Sequence, residues 1–196
     1  RVDKVDYKLL RELKKSGLYL VQYGFESGNQ EILDAMHKNI TLDVSRLAME
    51  ATKKAGVFSV GLFILGMPGE TIESCCQTIE FAKELDCDIA KFNIATPYPG
   101  SQFFSDFKDK LPKNISTSRF TSWLDWGDGS DELIYCPEAL SKQGLINLQR
   151  KAMFDFYVRP KIITRHLLKR TIPLHQLLIG GSLVVKKYLA SKKMAR

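Results

Sequence analysis

The sequence predicts an α/β fold built on a parallel sheet. Three short, apolar, β-rich runs end near residues 25, 66 and 95, helical periodicity fills the intervals, and each run gives way to a loop rich in Gly, Pro and polar residues. Strand, helix and strand in that rhythm is the βαβ pattern, which lays successive strands parallel.

The elements follow in chain order. Val5, Leu9, Leu10 and Leu13 recur at helical spacing between Val2 and Gly17, with Gly17 placed to stop the helix. Leu18 to Gly24 is expected to be a buried strand. Leu42, Val44, Leu47, Ala48, Ala51 and Ala55 form the inner face of a helix that Thr41 caps and Gly56 ends. Val57 to Leu65 is the second strand. Thr71 opens a helix with Ile72, Cys75, Cys76, Ile79, Ala82 and Leu85 inward, Asp88 to Ala95 is the third strand, and a short helix runs from Ser101 to Lys108. Residues 109–136, with Trp123 and Trp126 and little periodicity, read as a connecting loop. Glu138 and Ala139 open a helix that continues through Leu145, Leu148, Met153 and Phe156 until Pro160 interrupts it. A basic helix around Ile162, Ile163, Leu167 and Leu168 follows, and a last segment spans Leu174 to Leu189. The expected organisation is therefore a β/α body over 1–108, a loop region over 109–136 and a basic helical region over 137–196.

Composition narrows the class. Of 196 residues, 44% are hydrophobic and 26% charged, which permits a packed core and argues against wholesale disorder. Four cysteines at 75, 76, 87 and 136 are too few and too irregular for a disulfide framework or a metal site, and fit buried thiols in a reducing cytoplasm. The net charge of +7 is unevenly held: residues 151–196 carry eleven Lys and Arg against Asp155 alone, which leaves the first 150 residues mildly acidic.

Ligands in parallel α/β sheets bind at the C-terminal strand ends, so three loops are candidates: Gly24 to Asn29, Gly66 to Thr71, and Thr96 to Ser101. Glu26 can accept hydrogen bonds from ribose hydroxyls or an amino group, while Ser27 alternatively serves as a helix cap. The Gly66 loop lacks the Lys-Ser/Thr of a nucleotide P-loop; its glycines allow close backbone approach, and Glu70 alternatively opposes a helix dipole. His37, His166 and His175 stand apart, which suggests exposed or capping roles. Nothing in the sequence singles out a catalytic side chain.

Taken together, these loops resemble the radical S-adenosylmethionine superfamily, in the branch that often carries a cobalamin-binding domain. The resembling text is Arg1-Val-Asp, Tyr23-Gly-Phe-Glu-Ser-Gly28 followed by Ile32, Leu33, Met36, Lys38 and Thr41, then Phe63-Ile-Leu-Gly-Met-Pro-Gly-Glu-Thr71 and Thr96-Pro-Tyr-Pro-Gly-Ser101, with a later echo in Phe156-Tyr-Val-Arg-Pro160. The resemblance implies the C-terminal half of a partial (β/α) barrel, with strands four to six here, followed by a mainly helical C-terminal region. It implies S-adenosylmethionine contacts at Glu26 and Ser27, a methionyl carboxylate partner at Lys38, an adenine-side segment over Gly66, Pro68, Gly69 and Glu70, and further contacts at Thr96 and Tyr98. Leu62 stands where some members place a ribose-binding acid. The superfamily's three-cysteine loop for a 4Fe-4S cluster does not occur, and is expected ahead of Arg1 in a longer protein, without which this piece would be inactive.

The implied activity is reductive cleavage of S-adenosylmethionine to start methyl transfer, cyclisation or a related modification of a small-molecule substrate, with electrons from an external donor and cobalamin as the branch's further cofactor. The competing reading is a non-catalytic module whose basic tail contacts RNA, disfavoured because that tail lacks interleaved aromatics. A third reading gives the tail a peripheral membrane contact through Leu174, Leu177, Leu178, Val185, Tyr188 and Leu189, backed by Lys186, Lys187, Lys192 and Lys193.

Overall fold

The structure is a computed structural model that describes residues 1–111 and 133–169, with isolated helical positions at 181, 182, 185, 186 and 189. Expectations for Trp123, Trp126, His175 and nearly all of the Leu174 to Leu189 face lie outside the described residues.

Three parallel strands, β1 (Leu20–Glu26), β2 (Phe58–Leu65) and β3 (Ile89–Ile94), pair in sequence order. Tyr23 faces Gly61, which faces Ala90. Between them run α1 (Tyr7–Lys15), α2 (Gln30–Ala35), α3 (Leu42–Ala55) and α4 (Ile72–Leu85); α5 (Gln102–Phe107), α6 (Lys142–Tyr157) and α7 (Pro160–Lys169) follow β3.

Local chemistry explains the boundaries. The expected helix over 2–17 divides into a 3-10 turn, Val2–Lys4, and α1, because Asp6 caps the Leu9 amide and starts a new helix. Gly17, at φ +102°, closes α1 as its left-handed terminator, with the Leu18 amide reaching back to Leu13. That terminator uses up Leu18, so β1 begins two residues later than expected. Thr41 and Gly56 bound α3 as expected, and Thr71 with Ser74 forms a reciprocal cap on α4. Leu47 and Ile72 were expected inward but are exposed, at 64% and 60%. The helix expected from Glu138 begins at Lys142: residues 137–140 turn, and Ser141 caps Gly144.

The two faces of the sheet differ. One carries Tyr23, Phe25, Phe63, Leu65, Ala90 and Phe92, all buried beneath α3, α4 and α6 in one core. Its centre is a run of rings: Phe25 stacks on Phe63 at 5.6 Å, Phe63 on Phe92 at 5.3 Å, and Phe156 of α6 meets Phe92 edge-on at 6.4 Å. Stacked and edge-on pairs of this kind add about 0.5–1.5 kcal/mol each beyond their buried area. The opposite face alternates with the first and carries Gln22, Gly24, Leu62, Ile64, Lys91 and Asn93, all exposed or half-exposed.

Two further features fix the frame. The backbone of β3 that points away from β2 is met by side chains: Tyr157 Oη donates to the Ala90 carbonyl at 2.8 Å and accepts from its amide at 3.2 Å, Gln149 Nε2 donates to the Phe92 carbonyl at 2.8 Å, and Thr96 Oγ1 donates to the Ile94 carbonyl at 3.2 Å. At the other end of the strands, Asp86 adopts φ +53° after α4 and gathers Arg165 (2.5 Å), Lys161 (2.8 Å), Lys53 (3.7 Å) and Arg159 (3.9 Å). This clasp pins α7 under the sheet. His166, expected exposed or capping, is instead 1% exposed there, with Nε2 2.9 Å from the Asp88 carbonyl oxygen.

Candidate functional site

The C-terminal ends of β1, β2 and β3 bring the three candidate loops together along one rim of the sheet. At the first, pairing shifts between Gly24 and Glu26, so Phe25 is an inserted residue and Glu26 takes φ +66°. A bulge of this kind re-aims the next side chain. The Glu26 carboxylate turns over Gly24: a Cβ at that glycine would lie 2.3 Å from Glu26 Oε1 and 3.3 Å from Lys38 Nζ. A side chain at this glycine would have to displace the charged pair that sits there, in which Lys38 Nζ donates to Glu26 Oε1 at 2.6 Å, with the two side chains 29% and 16% exposed.

Lys38 is delivered by the end of α2. His37 adopts φ +52° and ends the helix, and the Lys38 amide bonds back to the Leu33 carbonyl. His37 is exposed, in the capping role the sequence suggested. Asn29, not Ser27, caps α2 through the Ile32 amide. Ser27 is 1% exposed: its hydroxyl pairs with Thr78 Oγ1 at 3.1 Å and accepts from the Asn29 amide. Gly28 lies so close to α4 that a Cβ would come within 2.5 Å of Phe81. Ser27 and Gly28 therefore anchor the loop to α4, while Glu26 and Lys38 face outward.

The second loop is a tight turn over Met67, Pro68, Gly69 and Glu70, with the Glu70 amide donating to the Met67 carbonyl at 3.0 Å and Gly69 at φ +84°. Pro at the second position and a left-handed Gly at the third make it a type II turn. Glu70 is fully buried and does not oppose a helix dipole from the surface. Its Oε2 accepts from the Gly66 amide at 2.5 Å and the Met67 amide at 2.8 Å, and the Cys75 thiol lies beside it. Burial pushes the Glu70 carboxyl up, against the pull of those two amides, and burial pushes the Cys75 thiol up to about 12. Glu70 thus ties the loop from inside, and Gly69 is what the loop exposes most, with Met67 and Pro68 half-exposed. Gly66, at φ +87°, allows Leu145 of α6 to pack where a Cβ would fall 2.5 Å from it.

The third loop repeats the device with Tyr98, Pro99, Gly100 and Ser101: the Ser101 amide donates to the Tyr98 carbonyl at 3.0 Å, and Gly100 takes φ +89°. Thr96 is half-buried and bonded to the backbone, and Tyr98 is 38% exposed, with its hydroxyl pushed up by burial. Sequence reasoning missed Thr78, which holds Ser27 and Gly28, and the open-face side chains Gln22, Lys91 and Asn93. The alternation of Lys91 and Asn93 with buried Ala90 and Phe92 was the available signal. Among the described residues, no group of three or more His, Cys, Asp or Glu could hold a metal, and no helix is long and apolar enough to cross a membrane.

Comparison with known proteins adds three findings. The family model described as the Radical SAM superfamily matches residues 2–82. Over 166 residues the chain is 35% identical to an uncharacterized methyltransferase of Pyrococcus horikoshii, covering 84% of this chain but 34% of that protein; an anaerobic magnesium-protoporphyrin IX monomethyl ester cyclase of Rubrivivax gelatinosus is 33% identical over 106 residues, 54% of this chain and 19% of that one. The chain thus spans about a third or less of these relatives. Among solved structures, a radical S-adenosylmethionine methyltransferase, TsrM, from Kitasatospora setae, with cobalamin and a [4Fe-4S] cluster bound, superposes with a TM-score of 0.61 at 14% identity, covering 96% of this chain and 43% of that one.

Proposed function

Since the chain belongs to the radical SAM superfamily, we propose that its strand ends form one wall of an S-adenosylmethionine site in a longer radical enzyme. The observation that carries this reading is the Glu26 and Lys38 pair held over Gly24. An amino acid zwitterion offers the complementary arrangement, an ammonium for Glu26 and a carboxylate for Lys38, and can exchange with the internal pair without leaving either charge unpaired. The exposed backbone at Gly69, beside Met67 and Pro68, suits a flat ring that needs no side-chain pocket, with Glu70 holding the turn in shape and Thr96 and Tyr98 bordering it.

The described residues do not fit a 4Fe-4S cluster, because no set of ligands converges; we place its ligands outside them, and cobalamin likewise. Bound S-adenosylmethionine supplies, on one-electron reduction by an external donor, the activated carbon fragment used by the superfamily. The chain's own residues orient that molecule, with Glu26 and Lys38 fixing its charged end. Methyl transfer is the favoured reaction class, supported by the extent of the match to the Pyrococcus horikoshii methyltransferase.

The test is equilibrium dialysis of S-adenosylmethionine against the full-length protein and its Glu26→Gln and Lys38→Met variants. Each variant is expected to weaken binding about tenfold or more, since a charge-assisted hydrogen bond contributes about 1.5–3 kcal/mol. Unchanged affinity in both would overturn the reading.

A further inference from the structure

The N-terminal ends of the strands border an open cavity of about 490 Å³, roughly 20–25 Å along β2 from the three loops. It is lined by two aromatic rings, Tyr19 and Phe58, and by four charged side chains, Lys53 of α3, Arg165 of α7, Asp86 and Asp88. A volume of this size suits a small molecule, and the reading of the strand C-terminal ends makes no use of it.

The charges around the cavity divide into those already engaged and those that are not. Arg165 spends its guanidinium on the Asp86 carboxylate and on the Asp86 and Cys87 carbonyls. Arg159 bonds the Lys83 and Phe156 carbonyls, and Lys14 the Ala55 and Gly56 carbonyls, so these cations answer the carbonyl ends of α4, α6 and α3. Asp88 Oδ2 accepts from the Ser59 amide at 2.9 Å and from its hydroxyl at 3.0 Å. Lys53 is different. Its Nζ makes no hydrogen bond among the described residues, and its ion-pair partner, Asp86 Oδ2, is 3.7 Å away. That oxygen is already held by Arg165 at 2.5 Å and by Lys161 at 2.8 Å. At 3.7 Å and 2.8 Å from one oxygen, the Lys53 and Lys161 ammonium groups lie within about 6.5 Å of each other. One carboxylate that Arg165 already balances cannot neutralise both.

Two ammonium groups at that spacing suit the oxygens of one phosphate, which accepts short charge-assisted bonds from both. The rings define the rest of the ligand. Tyr19 is 80% exposed with its hydroxyl unbonded among the described residues, and Phe58 is half-buried, its amide bonded to the Tyr19 carbonyl. We propose that this cavity is a second ligand site, for a small phosphate monoester that carries a flat ring: Lys53 and Lys161 take the phosphate, and Tyr19 and Phe58 take the ring. Bound there, the ester ties α3 to α7 through one anion. The site shares no residue with the three loops, so it stands or falls independently of the S-adenosylmethionine reading.

The experiment titrates phenyl phosphate and, separately, methyl phosphate into the full-length protein by calorimetry at constant ionic strength. The two probes carry the same anionic group, and neither has an adenine that could enter the proposed cofactor wall. Phenyl phosphate is expected to bind saturably, and methyl phosphate at least about fivefold more weakly for want of the ring. Lys53→Gln is expected to weaken phenyl phosphate about tenfold or more, and Tyr19→Ser to bring it down to the level of methyl phosphate. A control, Lys142→Gln, removes an exposed lysine at the start of α6, whose Leu145 packs on Gly66 at the other ends of the strands, and is expected to change nothing. Lys53 is 45% exposed and lies beyond hydrogen-bond reach of Asp86, so Lys53→Gln is expected to leave the thermal midpoint unchanged. Absence of saturable binding, equal binding by Lys53→Gln, or an equal loss in Lys142→Gln overturns the proposal. Equal affinity for the two esters, with no effect of Tyr19→Ser, overturns the part assigned to the rings.

Discussion

Replacing Asp86 with Asn tests how far one carboxylate holds the C-terminal helices to the sheet. Asn tolerates the left-handed backbone found at this position, so the substitution removes charge without adding strain. The four cations do not count equally. Lys161 is 70% exposed and contributes about 0–1 kcal/mol at most, and Lys53, at 45% and 3.7 Å, contributes less. Arg165, 15% exposed, bonds an Asp86 side chain that is 8% exposed, and also reaches the Asp86 and Cys87 carbonyls. Breaking a fully buried pair costs about 3–5 kcal/mol; with one side of the clasp wet, we expect about 2–3 kcal/mol. For a chain of this length that lowers the thermal midpoint by roughly 5–10 °C. Burial would raise the Asp86 carboxyl, but Lys161 and Arg165 outweigh it and hold the group below its ordinary value. Its contribution is therefore present above the ordinary carboxylate value and lost as pH falls through the lowered folded value. The gap between wild type and Asp86→Asn should stay constant above about pH 5 and narrow below about pH 4. Calorimetric melts across that range, with Arg165→Gln and Lys161→Gln alongside, make the measurement. A loss below about 0.5 kcal/mol in Asp86→Asn, or equal losses from the two cation variants, would refute the ranking by exposure.

Three other outcomes are expected. Gly66→Ala should cost about 2–4 kcal/mol in denaturant melts, since it combines a positive φ with a 2.5 Å approach to Leu145, and an unchanged midpoint would contradict the close packing of loop and α6. Glu70→Ala should cost about 2–4 kcal/mol by orphaning the Gly66 and Met67 amides, whereas Glu70→Gln keeps an acceptor for both and should be nearly neutral. Because burial raises the Glu70 carboxyl, its protonation favours the folded state: the benefit is full below the ordinary carboxylate value and fades as pH rises through the raised one, a dependence Glu70→Gln should abolish. Finally, burial pushes Cys75 and Cys87 up to about 12, so at pH 8 a thiol reagent should label the half-exposed Cys76 and Cys136 quickly and the other two only on unfolding; a third fast thiol would count against the packing of α4.

The order of the elements was legible because each depends on a local cause. Thr41, Gly56 and Thr71 act within one turn, and the three apolar runs are long enough to mark strands. What escaped was whatever depends on distant partners. Glu26 and Glu70 look alike in sequence, each a carboxylate at the end of a strand loop. Only the bulge at Phe25 turns one outward, and only the curl of the Pro68-Gly69 turn draws the other inside. Ser27 has the chemistry of a cap, but Thr78, more than fifty residues away by count, claims its hydroxyl. His166 reads as surface in a basic helix because Asp86 and Asp88, which bring that helix under the sheet, lie about eighty residues earlier. The resemblance pointed to these three loops, yet family likeness carries no information about burial, which separates side chains that can meet a ligand from those that hold the loop.

The side chains that cover the outer backbone of β3 also set a clock. Tyr157 and Gln149 lie 67 and 57 residues beyond their carbonyl partners. At synthesis rates of about 5–20 residues per second, β3 leaves the ribosome roughly 3–13 s before Tyr157 does. During that interval the strand presents its free amide and carbonyl groups to any neighbouring nascent chain, and Lys91 is the one charge on it to discourage pairing. Translational pausing between β3 and α6 should therefore raise aggregation more than pausing at any point after Tyr157 has emerged.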